Sequence, residues 1–158
     1  DTLKAFTWIG YVEHVRDNTS DAYIYFVEGI KRLQEKCFYE HHIVSMLHLA
    51  AIELKTGPDV MAKKMFSEFL NFANNEIESG NESWELPYNI TGVYSVIGDQ
   101  DKAFKWLDHT IEAGWRNYRI AQIEPLFENL RQDSRFEQRI EHVKGMVDKA
   151  RKQIYAAQ

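Results

Sequence analysis

Apolar residues recur along this chain at helical spacing, and the spacing itself repeats. Ala22, Ala62 and Ala103 stand 40 and 41 residues apart. Three positions after each anchor come Tyr25, Met65 and Trp106, then Phe26, Phe66 and Leu107, and four further on Ile30, Leu70 and Ile111. Apolar residues at 0, +3, +4 and +8 make one face of a helix with a 3.6-residue period. A second stripe precedes each anchor. It runs through Thr7, Leu47 and Tyr88, then Ile9, Leu49 and Ile90, then the small column Gly10, Ala50 and Thr91, and ends at Val12, Ile52 and Val93. Between the stripes lie short polar breaks, Asp17-Asn18-Thr19-Ser20, Thr56-Gly57-Pro58-Asp59 and Ile97-Gly98-Asp99-Gln100. Gly57 and Gly98 suit a left-handed helix end, and the Pro or Asp that follows suits the start of the next helix.

Each unit therefore reads as helix, tight turn, helix, over residues 3–36, 40–79 and 84–114. Neither helix of a pair can bury its stripe alone, so the three hairpins are expected to stack as a right-handed α-solenoid within one domain, 1–158. The tail, 124–156, adds two elements. Pro125 fits the first turn of a short helix, and Ser134-Arg135-Phe136-Glu137 has the form of a capping box. Phe136, Ile140, Val143, Val147, Ala150 and Ile154 then form the seam of a long C-terminal helix. That helix is expected to cap the last hairpin, with Phe136 near Leu107 and Ile111. The class is all-α, with eight helices and no sheet.

Composition narrows the function. Eight glycines and three prolines in 158 residues are few chain breakers, in keeping with long helices. A formal net charge of −5 argues against a general nucleic-acid binder, which needs a basic footprint. No apolar run approaches a membrane span, and Asp1-Thr2-Leu3-Lys4 lacks the pattern of a signal peptide, so a cytoplasmic location is expected. The first residue is not Met, in keeping with a piece of a longer protein. A single cysteine, Cys37, excludes an internal disulfide framework.

The third unit, from Asn89 to Leu107, resembles the tetratricopeptide repeat. Ile90, Tyr94, Gly98, Asp99, Ala103 and Leu107 match its pattern, whereas Thr110 replaces the usual Ala, and Glu13 and Glu53 replace the Tyr in the first two units. The period of about 40 also exceeds the family's usual 34. Glu124-Pro125-Leu126-Phe127-Glu128-Asn129-Leu130, with Ala113-Gly114-Trp115 before it, is similar to the closing segment of bacterial tetratricopeptide proteins. Such tails stand behind cyclase, kinase, transcription-regulator and TolB-like regions. The resemblance implies a non-enzymatic protein–protein interaction module, or alternatively the regulatory C-terminal domain of a larger bacterial signalling enzyme or transcriptional regulator. It also implies a concave groove, lined by Thr7, Tyr11 and His14, by Leu47, Ala51 and Leu54, and by Tyr88, Gly92 and Ser95. The Lys and Asn that grip a peptide carboxylate in some members are missing there. A hydrophobic or extended segment of a protein partner is the expected occupant.

Catalytic chemistry has no foothold in the pattern. Gly-x-Ser-x-Gly, Gly-rich phosphate loops and dinucleotide fingerprints are all missing. Cys37 and His41, with His42 and His48 nearby, lack the four spaced ligands of a zinc site, so no metal and no cofactor are expected. The sequons at Asn18, Asn81 and Asn89 read as accidental, and His109 and Glu112 as a surface pair. Trp8, Tyr25, Phe26, Phe66 and Trp106 fall at core spacing. Trp115 and Tyr118, beside Arg116 and Arg119, read either as a plug at the end of the repeats or as a binding patch of the residue types that dominate interface hot spots.

Overall fold

The computed structural model describes residues 2–33, 39–57 and 59–156. It is 84% helix, and the described residues include no strand. Two compact units divide the chain, Asp1–Ser79 and Gly80–Gln158.

The first unit holds two hairpins: α1 (Thr2–Val15) with α2 (Thr19–Leu33), and α3 (Tyr39–Thr56) with α4 (Asp59–Glu78). Ala22 and Phe26 of α2 form one buried cluster with Leu49 and Ile52 of α3, and Tyr11, Val27, Ile30 and Met65 pack around it. The small column has a steric cause. A Cβ on Gly10 would stand 2.8 Å from Cδ1 of Phe26, a ring with no exposed surface. Only a bare backbone lets α1 approach α2 so closely.

The repeat columns are not buried alike. Leu49, Ile52, Ile90 and Val93 are interior, but Ile9 and Val12 remain 41% and 43% exposed and Trp8 52% exposed. Trp8 is thus no core residue, contrary to its spacing. Leu49 and Ile52 are sealed by Ala22 and Phe26 of the preceding helix, and among the described residues no helix precedes α1 to take that place.

Helix ends show the turn chemistry. Asp17 N–H bonds to His14 O and Asn18 N–H to Glu13 O, while Asp17 holds φ 62°. The same pair of bonds closes α5 at Gly98 (φ 86°), and a third follows α6 at Gly114 (φ 99°). These are Schellman ends, whose left-handed residue returns two backbone donors to the last carbonyls. At the first break an Asp takes the position expected of glycine. Gly57 does not adopt the left-handed conformation expected of it, and its N–H instead bonds to Glu53 O at 2.8 Å.

The second unit pairs α5 (Glu85–Ile97) with α6 (Gln100–Glu112), followed by the short α7 (Tyr118–Ala121), 3-10 turns at Pro125–Phe127 and Leu130–Gln132, and α8 (Ser134–Ala156). Asp99 caps α6 by accepting from Lys102 N–H. Pro125 does open a short helical turn, and Leu126 from that turn closes over Gly92 of α5, where an added Cβ would meet its Cδ1 at 3.0 Å. The cap of α8 is Asp133, whose Oδ1 accepts from Arg135 N–H at 2.8 Å, rather than the Ser134–Glu137 box. Phe136 is buried as expected, and the ring of Phe127 lies 6.4 Å away, edge-on. Charged arms join α8 to α6. Arg139 binds Asp108, Arg135 reaches Asp101, and both guanidinium groups lie over the ring of Phe104, at 4.9 and 4.3 Å.

Candidate functional site

Thr7, His14, Leu47 and Ala51 are all buried, and Thr7 and His14 meet α3 from α1. Thr7 Oγ1 and Ser45 Oγ share a hydrogen bond of 2.9 Å, and one Nδ1 of His14 and His48 donates to the other at 3.0 Å. Thr7 and His14 are occupied in joining two helices, and all four, being buried, offer little surface to a groove, contrary to the expectation from sequence. The physical reason is their size and polarity. Short hydroxyls and imidazoles fit between closely packed helices and satisfy one another there. Tyr11 is half-buried, its ring edge-on to His48 at 5.2 Å, and Leu54 is also half-buried.

In the second unit Ser95 is fully buried, and its Oγ has no hydrogen-bond partner among the described residues. Gly92 lies beneath Leu126. Tyr88 is half-buried against Phe127 at 4.9 Å and Trp115 at 5.6 Å, and its hydroxyl donates to Glu124 Oε2 at 3.4 Å. Glu124 is itself buried, and its Oε1 accepts from Leu126 N–H. Trp115 is interior too, a plug behind Tyr88 and no part of a surface patch. Arg116 fixes the following link by donating to Ile111 O and Trp115 O, both at 2.7 Å. Tyr118 stays half-exposed, with the Arg119 guanidinium 5.9 Å from its ring.

Among the described residues, two aromatic edge pairs are partly exposed, Trp8–Tyr11 within α1 and Trp84–Tyr88 at the start of α5, where Trp84 directly precedes the helix. Trp8, 52% exposed, meets Tyr11 at 6.0 Å with an 80° interplanar angle. Trp84, 38% exposed, meets Tyr88 at 6.1 Å and 89°. Sequence spacing assigned Trp8 to the core and passed over Trp84. The available signal was its place directly after the polar run Asn81-Glu82-Ser83 and before α5 begins.

No family model matches the chain, and no curated protein or solved structure matches it either.

Titratable groups offer little chemistry at the surface. Burial lowers the His42 imidazole and takes His48 down to about 3. His109 Nδ1 lies 3.4 Å from Glu112 Oε2 on an exposed turn. Among the described residues, no group of three or more His, Cys, Asp or Glu side chains could hold a metal ion. Cys37 and the side chain of His41 lie outside the described residues. No described helix is long and apolar enough to cross a membrane.

Proposed function

We propose that this chain is a non-enzymatic helical-repeat module of tetratricopeptide type, with hairpins stacked right-handed, that holds an extended apolar segment of a protein partner. The repeat supports the architecture. Ala22, Ala62 and Ala103 are each fully buried at the 40- and 41-residue spacing. The single observation that carries the function is the pair of partly exposed Trp–Tyr edges, Trp8–Tyr11 and Trp84–Tyr88. Tryptophan and tyrosine give large contact area at small entropic cost, and they lead the residue types found at interface hot spots. The buried half of each pair, resting on His48 or Phe127, holds the exposed half in place.

A selection from a library of extended peptides against the whole chain tests this reading. Enriched sequences are expected to carry apolar residues, and Trp84→Ala is expected to weaken them at least about tenfold, the loss of one hot-spot aromatic. Enrichment of nothing, or of peptides indifferent to both Trp8→Ala and Trp84→Ala, contradicts it.

A second reading, a regulatory domain acting in cis within a larger signalling protein, rests on the tail from Ala113 to Phe136. Sequencing the complete reading frame decides between the two.

A further inference from the structure

The contact between α1 and α3 contains a pair of groups whose bond depends on their protonation. Nδ1 of His14 and Nδ1 of His48 are 3.0 Å apart, with ring centroids at 5.1 Å, and both imidazoles are buried. An N–H···N bond of this kind needs one nitrogen without a proton. Their surroundings are aromatic. Phe26 of α2 stacks on His48 at 5.5 Å and 23° and meets His14 edge-on at 6.2 Å, while Tyr11 of α1 meets His48 edge-on. Among the described residues, Tyr11 and His14 face His48 from α1, and α2 turns the uncharged ring of Phe26 toward the pair.

We propose that His14 and His48 form a proton-operated latch, closed when the pair is neutral and opened on acidification, releasing α1 from α3. The first proton places a net charge among aromatic rings. The second leaves two cationic Nδ1–H groups aimed at each other across 3.0 Å, with the acceptor of the bond gone. Neither ring can stay where it is, and separation of the helices returns both to water. The direction agrees with the chemistry of burial, which holds His48 at about 3, far below its ordinary 6.5. A histidine with a lowered folded-state pKa leaves the closed form intact above about pH 6.5 and weakens it as pH falls below that value.

Hydrogen exchange on the whole chain, corrected for intrinsic rates between about pH 7 and pH 4.5, reads the latch directly. Below about pH 6.5 the opening equilibrium of α1 is expected to rise about tenfold per pH unit for each proton taken up on opening. Amides of α8 are expected not to follow. His14→Gln keeps an N–H donor for His48 but removes one titrating ring, and is expected to flatten the slope. Unchanged protection of α1 down to about pH 4.5, or an identical slope in His14→Gln, would overturn the proposal. Imidazole nitrogen shifts of the unaltered protein provide a check that does not depend on the variant folding. Both rings are expected to gain protons only as α1 opens, and a ring that titrates near pH 6.5 while α1 stays protected contradicts the latch.

Discussion

Arg139 of α8 grips Asp108 of α6 with two hydrogen bonds of 2.7 Å, one to each carboxylate oxygen, while its guanidinium plane lies over Phe104. Isolated surface pairs contribute little, but a two-pronged geometry backed by an aromatic face is the case in which they contribute measurably. Arg139→Ala is expected to lower stability by about 1–2 kcal/mol, and Arg139→Lys to recover less than half of it, because an ammonium cannot match the fork. Urea unfolding at constant slope measures both. A midpoint unmoved by Arg139→Ala would show that α8 is held by its apolar seam alone.

Two glycines separate packing from propensity. Gly10→Ala is expected to destabilise by about 1–3 kcal/mol, since its Cβ would enter the space of the fully buried Phe26 ring. Gly145→Ala, in α8 with nothing within 4 Å of the added carbon, is expected to stabilise by about 0.5–1 kcal/mol through helix propensity. Thermal melts of the two variants should move in opposite directions. Movement in the same direction refutes the close approach of α1 and α2.

Asp17 carries a left-handed backbone that L residues with a side chain adopt at a cost. Asp17→Gly is expected to stabilise by about 1 kcal/mol by relieving it, as glycine does at the equivalent Gly98 and Gly114. A loss of stability would show that the carboxylate does more for the turn than its backbone costs.

Acid sensitivity should also appear at the start of α8. Hydrogen bonds from the Arg135 side chain, then from its backbone N–H, hold the Asp133 carboxyl below its ordinary 3.8. A carboxylate with a lowered folded-state pKa stabilises above the unfolded value, and that contribution is lost as pH falls through the folded one. Asp133→Asn keeps the cap acceptor without the charge. It is expected to show a flatter decline of stability below about pH 4 than the unaltered chain, and superimposable profiles would contradict this.

How much was legible beforehand follows from what each signal measures. Period and punctuation report which face of a helix is apolar and where it must end, so the hairpins, Asp99 as a cap and Pro125 as a turn start were readable. They do not report which apolar face finds a partner. Ile9 and Val12 share columns with Leu49 and Ile52 yet stay exposed, because a covering helix is a property of the fold and not of the column. The burial of several residues expected in the groove has a related reason. Thr7, His14 and Ser95 look like surface chemistry in a sequence, but helices packed closely bury short polar side chains readily, and pairs such as Thr7–Ser45 are visible only once two helices are joined. Trp84 was missed because a residue at a helix boundary belongs to no periodic stripe.

The proposed contact surfaces are those of Trp8 and Trp84, each within its own unit, and not those of the other two tryptophans, Trp106 and Trp115. Four indole N–H signals, assigned by substitution and followed through titration with a selected apolar peptide, test this assignment most directly. Trp8 and Trp84 are each expected to move on titration, while the buried Trp115 stays still. Movement confined to Trp106 or Trp115, or signals unchanged at saturating peptide, would contradict it.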